Sequence, residues 1–216
     1  MNIILFGPPG AGKGTQADKI VETFNLYKVS SGDLLREEVK KKSELGIKIK
    51  SIIDSGSFVP DETINNLIVK ILKNKKYFNR IVFDGYPRNL NQAHNLDFLV
   101  EKHHQKISCV LSFKVDKETL VKRILNRQTC TKCGKIFNIS FKPSSNENHK
   151  CGPSFLVKRS DDNEKTVLHR FQTYTEKTLP ILEYYKKVNL LHEISGKAEI
   201  DQIFKEIRDI IVSLEG

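Results

Sequence analysis

The chain has 216 residues, of which 38% are hydrophobic and 29% charged, so it can bury an ordinary core and does not have the composition of a disordered protein. Its formal net charge of +10 comes from 28 lysines, dispersed among acidic residues, and only 8 arginines, a pattern typical of solvated helix faces rather than of a nucleic-acid-binding strip. No apolar stretch approaches the roughly 20 residues that span a bilayer, and the first residues show no basic leader or cleavage site, so we expect a cytoplasmic protein without a membrane partner.

Strands and helices are predicted to alternate along most of the chain. Apolar, β-branched runs predict strands at 2–6, 27–30, 80–84, 107–115 and 190–194. Periodic patterns predict helices at 13–24, 61–75, 89–102, 116–127, 161–188 and 199–214. We expect the long helix to bend at Pro180, because proline lacks the amide for one helical hydrogen bond. The alternation predicts an α/β fold with a doubly wound parallel sheet and helices on both faces.

Two segments interrupt this alternation. Residues 30–59 contain only helical patterns, which begin at Ser30, whose hydroxyl can accept the amide hydrogen of Asp33. Residues 128–160 are rich in Cys, Gly, Pro, Ser and Asn and contain short β-like pieces. We therefore predict two small domains that emerge from one core, which consists of 1–29, 60–127 and 161–216.

The first predicted strand is followed by a glycine-rich turn and a helix. The turn reads Gly7-Pro-Pro-Gly-Ala-Gly-Lys13-Gly-Thr15. Glycines let backbone amides point inward as an anion nest, the helix adds its positive end, and Lys13 can reach the outer phosphates of a nucleotide. The spacing predicts a phosphate-binding loop, in which the hydroxyl comes one place late, at Thr15. Asp84, at the end of a neighbouring strand, can hold a nucleotide-bound Mg²⁺ through water.

A series of further motifs covers essentially the whole chain. After the phosphate loop come Ser31-Gly-Asp-Leu-Leu-Arg36, Asp84-Gly-Tyr-Pro-Arg88 with Gln92, Arg123 with Arg127, Arg159-Ser-Asp-Asp162, and Arg170. In this order they make the chain similar to the adenylate kinase family of nucleoside monophosphate kinases, in its long-lid form with a zinc-type cysteine lid. By this resemblance, residues 30–59 correspond to the NMP-binding domain and residues 128–160 to the lid.

The resemblance implies reversible transfer of the γ-phosphoryl group from MgATP to AMP, giving two ADP. It implies ATP-binding positions at Gly10, Ala11, Gly12, Lys13, Gly14, Thr15, Arg123, Arg127, Ile136, Phe137 and Ala198. It implies AMP-binding positions at Ser31, Arg36, Ser57, Phe58, Val59, Gly85, Tyr86, Pro87, Arg88, Gln92, Arg159 and Arg170. The implied catalytic residues are Lys13, Arg88, Arg127, Arg159 and Arg170.

Finer roles also follow from the resemblance. Ser31 and Gln92 would contact the acceptor adenine, and the backbone from Gly196 to Ala198 would reach the donor base. Thr15 and Asp84 would bind Mg²⁺ through water. The Tyr86-Pro87 bond resembles a family position that can be cis.

The distribution of arginine supports this interpretation. Six of the eight arginines fall on motif positions, which leaves only Arg80 and Arg208 outside them. A chain that otherwise uses lysine reserves arginine for places that need a planar, bidentate phosphate ligand. A phosphate acceptor is already an oxyanion, so positioning and neutralisation of charge suffice and no catalytic base is required.

The cysteines predict a metal site in the second insertion. Cys109 lies in an apolar run and is most simply a buried core thiol. Cys130 and Cys133 form a knuckle, and Cys151 follows at about the spacing of a zinc ribbon, but Ser154 stands where a fourth thiolate would be expected. Either His149 completes a Cys₃His set, or Cys151 is the third ligand and water or a weak oxygen completes the site. A metal-free lid that retains its thiols is the alternative.

Other functions remain open at this stage. The acceptor could be UMP, CMP or another monophosphate, and the donor could be GTP. A nucleotide-switched nucleic-acid-binding protein is the alternative outside enzymes, although the lysines are dispersed and no basic-aromatic strip is present. We expect ATP, AMP and ADP as partners, no nucleic acid, and a monomer.

Overall fold

A parallel sheet forms the centre of the molecule. The computed structural model describes residues 1–145 and 149–214. Within them the strands are β1 Asn2–Phe6, β2 Tyr27–Ser30, β3 Ile81–Asp84, β4 Ile107–Lys114, β5 Arg127–Cys130, β6 Ile136–Asn138, β7 Leu156–Val157 and β8 Leu191–Ser195. Five of these pair in parallel in the order β2-β3-β1-β4-β8. The carboxyl ends of β1, β2 and β3 therefore lie side by side, and each is followed by a segment that carries predicted site residues.

Helices cover both faces of this sheet. They are α1 Lys13–Phe24, α2 Ser31–Lys40, α3 Glu44–Asp54, α4 Asp61–Leu72, α5 Leu90–Lys102, α6 Lys117–Leu125, α7 Glu164–Thr173, α8 Leu179–Lys187 and α9 Ile200–Ser213. Strand β1 separates two cores: Ile4 and Phe6 pack with the helices α4, α5 and α8, whereas Ile3 and Leu5 pack with α1 and α9. This alternation confirms the predicted α/β fold with a parallel central sheet.

Several helix boundaries differ from the prediction. The helix predicted over 61–75 ends at Leu72, and the one predicted from 161 begins at Glu164. The helix predicted to reach Arg127 ends at Leu125, and Arg127 instead begins strand β5. The long helix is interrupted before Pro180 rather than at it, by a π-helical turn at Tyr174–Thr178 that joins α7 to α8. Pro180 lies in the first turn of α8, where its missing amide leaves no broken hydrogen bond inside that helix, so the irregular turn precedes it.

The first insertion is a pair of packed helices. Ser30 accepts from the amide of Asp33 at 3.3 Å to cap α2, as predicted, and Ser43 accepts from the amide of Gly46 at 3.0 Å to cap α3. A Cβ at Gly46 would overlap the backbone of Glu38, so glycine is required for this close approach.

The second insertion is a small antiparallel sheet in the order β6-β5-β7. Residues 146–148, outside the described part of the chain, fall between β6 and β7 in sequence. That either insertion behaves as a separate domain stays a prediction. Within the described residues, no helix has the length and apolar character needed to cross a membrane.

Candidate functional site

The predicted phosphate loop lies between β1 and α1. Gly7, Gly10 and Gly12 have φ values of 153°, 82° and 90°, which only glycine adopts without strain. Gly10 must also be glycine because a Cβ there would lie 2.8 Å from the backbone oxygen of Leu120. The helix begins after Gly12 without a side-chain cap, so its first amides are not engaged by a capping side chain and can meet an anion.

Lys13 is folded back over this loop. Its Nζ donates to the backbone oxygens of Gly7 at 2.6 Å and Pro8 at 3.0 Å. Burial lowers the pKa of Lys13 to about 8; Asp84 opposes this effect, whereas the nearby arginines Arg88, Arg170 and Arg127 add to it. A half-buried ammonium group among other cations favours the arrival of a polyanion.

The loop opens into a cleft of about 650 Å³. In the described part of the chain, the six motif arginines all line it, namely Arg36, Arg88, Arg123, Arg127, Arg159 and Arg170. The remaining two lie elsewhere: Arg80 donates to the backbone oxygen of Asn25, and Arg208 pairs with Asp209 at 3.5 Å. The structure thus brings together the residues that the sequence motifs single out, from both insertions and the core.

Two buried aspartates orient arginines in the cleft. Arg127 forms a two-bonded ion pair with Asp162, which is 1% exposed, and Arg170 donates to Asp161 at 2.8 Å. The sequence motifs imply no role for Asp161 or Asp162 beyond their place directly after Arg159-Ser160, which is the available signal. Because each aspartate holds one guanidinium edge, the arginine planes are fixed before a ligand binds.

Two other arginines are held by neutral groups. Arg88 donates to the backbone oxygen of Gly85 at 2.7 Å and to Ser31 Oγ at 3.0 Å, and Arg159 donates to Thr129 Oγ1 at 3.0 Å. Burial lowers the pKa of Arg88 and of Arg159 to about 10, and neighbouring arginines add to the effect in both cases. These guanidinium groups remain charged at neutral pH and carry positive charge available to a phosphate.

A second, smaller cavity of about 60 Å³ adjoins the cleft. Most of the predicted acceptor residues line it: Ser31, Arg36, Ser57, Phe58, Val59, Gly85, Tyr86, Arg88, Gln92 and Arg170. Pro87 and Arg159 line the large cleft instead, and the Tyr86-Pro87 peptide bond is cis. The Gln92 amide is bound at both ends, since Oε1 accepts from the Arg88 amide at 2.7 Å and Nε2 donates to Asp61 at 2.7 Å. One Nε2 hydrogen is left for a ligand.

The far end of the cleft is lined by β6, by Arg123 and by the loop before α9. The large cleft is also lined by the other residues predicted to bind ATP or Mg²⁺, namely Gly10, Ala11, Gly12, Gly14, Thr15, Asp84, Ile136, Phe137 and Ala198. Arg123 donates to the backbone oxygen of Gly196 at 3.0 Å, and its guanidinium lies 5.6 Å from the ring centroid of Phe141. Phe141 is 53% exposed and was missed from the sequence. An aromatic side chain in an otherwise polar lid segment was the available signal.

The cysteine insertion contains one compact group of possible metal ligands within the described residues. The ligand atoms of Cys130, Cys133, His149 and Cys151 all lie within 4.8 Å of one another. His149 Nε2 is 3.5 Å from Cys133 Sγ, close to the roughly 3.6 Å separation that tetrahedral zinc bond lengths require of a sulfur and a nitrogen. The structure therefore supports the Cys₃His arrangement over one completed by a weak oxygen.

The protonation of Cys130 also suits a metal, whereas burial and the neighbouring thiols Cys133 and Cys130 raise the pKa of Cys151. Burial by itself raises the pKa of the Cys130 thiol. Hydrogen bonds from the amides of Cys133 and Lys132 lower it, and the net result is a lowered pKa of about 6. Cys109 lies apart in β4, where burial raises its pKa to about 12. Cys109 is thus the core thiol that the sequence predicted.

A parallel sheet, a phosphate loop with a half-buried lysine, and converging arginines define a P-loop protein whose site is built for nucleotide phosphates. Residues 5–190 match the family model described as adenylate kinase. The chain is 48% identical to the adenylate kinase of Pelagibacter ubique, over 98% of this chain and 99% of that protein. It is 41% identical to that of Fervidobacterium nodosum, over 100% and 99%, and 39% identical to that of Archaeoglobus fulgidus, over 100% of each. The chain belongs to the adenylate kinase family, as its motifs indicated.

Proposed function

We propose that this chain transfers the γ-phosphoryl group of MgATP reversibly to AMP, giving two ADP. The observation that carries the proposal is the convergence of six arginines and Lys13 on one cleft that continues into a small side cavity. A cleft with this excess of positive charge suits two phosphate chains that meet end to end. The family membership supports the same reaction.

ATP would occupy the cleft. Its phosphates would accept from the amides of Gly10 to Thr15 and from Lys13, and Arg127 would contact them from the lid. Its base would pack against the Arg123–Phe141 pair, beside Ile136, Phe137 and Ala198, because a guanidinium and an aromatic ring both stack on planar rings.

Thr15 and Asp84 would hold the magnesium ion of MgATP, through water. Both line the cleft, and Asp84 Oδ2 lies 3.5 Å from the position of a Cβ on Gly14, beside the loop. An oxygen-only set of one hydroxyl and one carboxylate suits Mg²⁺, which keeps most of its water. When bound, the ion neutralises charge on the β- and γ-phosphates.

AMP would occupy the small cavity together with the adjoining part of the cleft, because a cavity of about 60 Å³ does not hold a whole nucleotide. Ser31 and Gln92 would meet its base, the segment Ser57 to Val59 would cover it, and the turn from Gly85 to Pro87 would form the opposite wall. Arg36 and Arg88 would bind its phosphate. The remaining Gln92 hydrogen favours a base that offers a hydrogen-bond acceptor at its edge. Ser31 Oγ donates its own hydrogen to the Gly85 backbone oxygen, so towards the base it can only accept.

In the reaction, an oxygen of the AMP phosphate attacks the γ-phosphorus in line as the bond to the β-phosphate oxygen breaks. The acceptor needs no base, because its phosphate is already ionised. Lys13, Arg88, Arg127, Arg159 and Arg170 would stabilise the charge that spreads over the transferred group. Their orientation by fixed partners means that little reorganisation is needed during the step.

Closure of the insertions would exclude water, the competing acceptor. Ser160 Oγ, at the end of the lid, donates to Asp54 in α3 at 2.8 Å, and Ser57 Oγ lies 3.4 Å from His169 Nε2 in α7. These contacts join the first insertion to the segments that flank the lid. They support a closed arrangement of the site.

The Cys₃His cluster would bind one structural zinc ion. Three thiolates and an imidazole form a closed tetrahedral set with no position left for substrate, so the metal would stabilise the lid and perform no chemistry. We further propose that the protein acts as a cytoplasmic monomer, because one chain supplies every residue of the proposed site.

Replacement of Lys13 tests the function directly. In a coupled assay of ADP formation from MgATP and AMP, we expect Lys13→Met to lower kcat by about 1,000-fold or more, because no other side chain replaces its charge inside the loop. Lys19→Met is the matched control: Lys19 lies on the same helix but pairs with Asp201 on the surface at 2.7 Å. Equal activity of the two variants would refute the proposed role of the loop.

A further inference from the structure

The cysteine knuckle continues directly into the strand that lines the donor side of the cleft. The amide of Gly134 donates to the backbone oxygen of Cys130 at 2.9 Å, and the amide of Cys130 donates to the backbone oxygen of Lys135 at 2.9 Å. Strand β6 begins directly after Lys135, at Ile136. Ile136 Cδ1 lies 3.6 Å from the position of a Cβ on Gly14, so this strand lies against the phosphate loop.

His149 contacts both the metal-ligand cluster and this strand. Its Nε2 is 3.5 Å from Cys133 Sγ, and its ring centroid is 4.7 Å from that of Phe137, with an angle of 55° between the rings. Phe137 is 2% exposed and lines the cleft. Each ring therefore limits where the other can lie.

We infer that His149 is a positioning residue that links metal occupancy of the lid to the affinity for the donor nucleotide. The inference rests on the proposed zinc site and on the proposed donor role of Ile136 and Phe137. An imidazole bound to a metal has a fixed orientation, so the ion holds the His149 ring against Phe137 and thereby holds β6 over the phosphate loop. A cysteine in this place would complete the metal site and leave Phe137 without this support.

Binding linkage makes the inference testable without turnover. If zinc favours the β6 position that binds ATP, then ATP must tighten zinc binding by the same factor. From the usual strength of a ring contact we expect a factor of about five. The acceptor cavity is lined by other segments, so the KM for AMP stays within about twofold.

The experiment compares wild type, His149→Cys and the control His192→Gln, which alters a half-buried histidine on β8. Zinc affinity is measured at buffered free Zn²⁺ with and without ATP, and KM is measured for each nucleotide at saturating levels of the other. In wild type and in the control, ATP should tighten zinc binding about fivefold. His149→Cys should bind one zinc ion whose affinity ATP leaves unchanged, and its KM for ATP should rise about fivefold with an unchanged KM for AMP.

Two results would overturn the inference in distinguishable ways. Zinc-loaded His149→Cys with the wild-type linkage and the wild-type KM for ATP would show that the ring is not needed, while the metal site stands. Wild-type protein that binds no zinc would remove the metal site and this inference together. A cysteine at position 149 should not support the linkage between ATP binding and zinc binding, because a thiolate has no ring to pack against Phe137.

Discussion

Arg88 provides the sharpest separation of function from stability. Its guanidinium donates to Ser31 Oγ and to the Gly85 backbone oxygen and lies 5.3 Å from the ring centroid of Phe58, and burial lowers its pKa to about 10. A decrease of that size corresponds to about 3 kcal/mol of unfavourable free energy for the charged form, which at pH 7 is present in full. Because Arg88 is only half-buried, solvent screening reduces the expected cost to about 1–2 kcal/mol.

Arg88→Met removes this charge and leaves Ser31 Oγ donating to the Gly85 oxygen at 2.5 Å. We expect the free energy of unfolding to stay the same or to rise by about 1–2 kcal/mol, with a Tm up to about 4 °C higher. We expect kcat to fall by about 1,000-fold or more, since an arginine on the transferred or acceptor phosphate contributes that much.

Thermal unfolding and the coupled ADP assay measure both effects on one sample. Arg208→Met is the control, because Arg208 is exposed on α9 and pairs with Asp209; it should leave kcat unchanged. Near-normal activity of Arg88→Met, or a loss of activity that comes with a clearly lower Tm, would refute the reasoning.

Three further predictions concern the loop lysine, the first insertion and the cysteine cluster. Burial and the neighbouring arginines lower the pKa of Lys13 to about 8, and bound phosphates must raise it again. ATP binding at pH 8.5 should therefore take up about 0.7 of a proton, which calorimetry in buffers of different ionisation enthalpy measures. No proton uptake would contradict the placement of Lys13 on the ATP phosphates. As the pH rises through 8, ATP affinity should fall. Gly56→Ala places a Cβ 2.6 Å from Thr166 Cγ2 at a residue with a φ of 76°, and this variant should raise the KM for AMP about tenfold. Gly134→Ala is the control for backbone strain alone, because Gly134 has a φ of 72° but open space around the added Cβ. Equal KM values for AMP in the two variants would disprove the steric argument. Zinc chelation should lower the Tm by about 10 °C in wild type and in Cys109→Ala but not in Cys133→Ser, which starts without the ion; an unchanged wild-type Tm would argue against a structural metal.

Local signals made the core and the phosphate loop predictable. The motif that predicts the phosphate loop lies entirely within nine consecutive residues, from Gly7 to Thr15. The strands are predictable from short apolar runs, a pattern that does not depend on contacts with distant residues. Helix ends were less predictable: the pattern of α6 continues towards Arg127, but pairing of Arg127 with Asn138 in the lid sheet takes that residue into a strand.

Long-range contacts account for what the sequence left open. The grouping of His149 with the cysteines depends on its distance from Cys133, which a spacing of 16 residues does not determine. The place of Phe141 beside the cleft follows from its position over Arg123. Asp161 and Asp162 are ordinary acidic residues in the sequence, and only the fold shows that they orient Arg170 and Arg127.

The most direct test of the account is ADP formation from MgATP with AMP, UMP, CMP, GMP or no acceptor at matched concentrations. The account predicts rapid, EDTA-sensitive turnover with AMP and little with the other acceptors. Preference for another monophosphate would contradict the assignment of Ser31 and Gln92 to an adenine pocket. No acceptor-dependent turnover at all would contradict the proposed phosphoryl transfer itself.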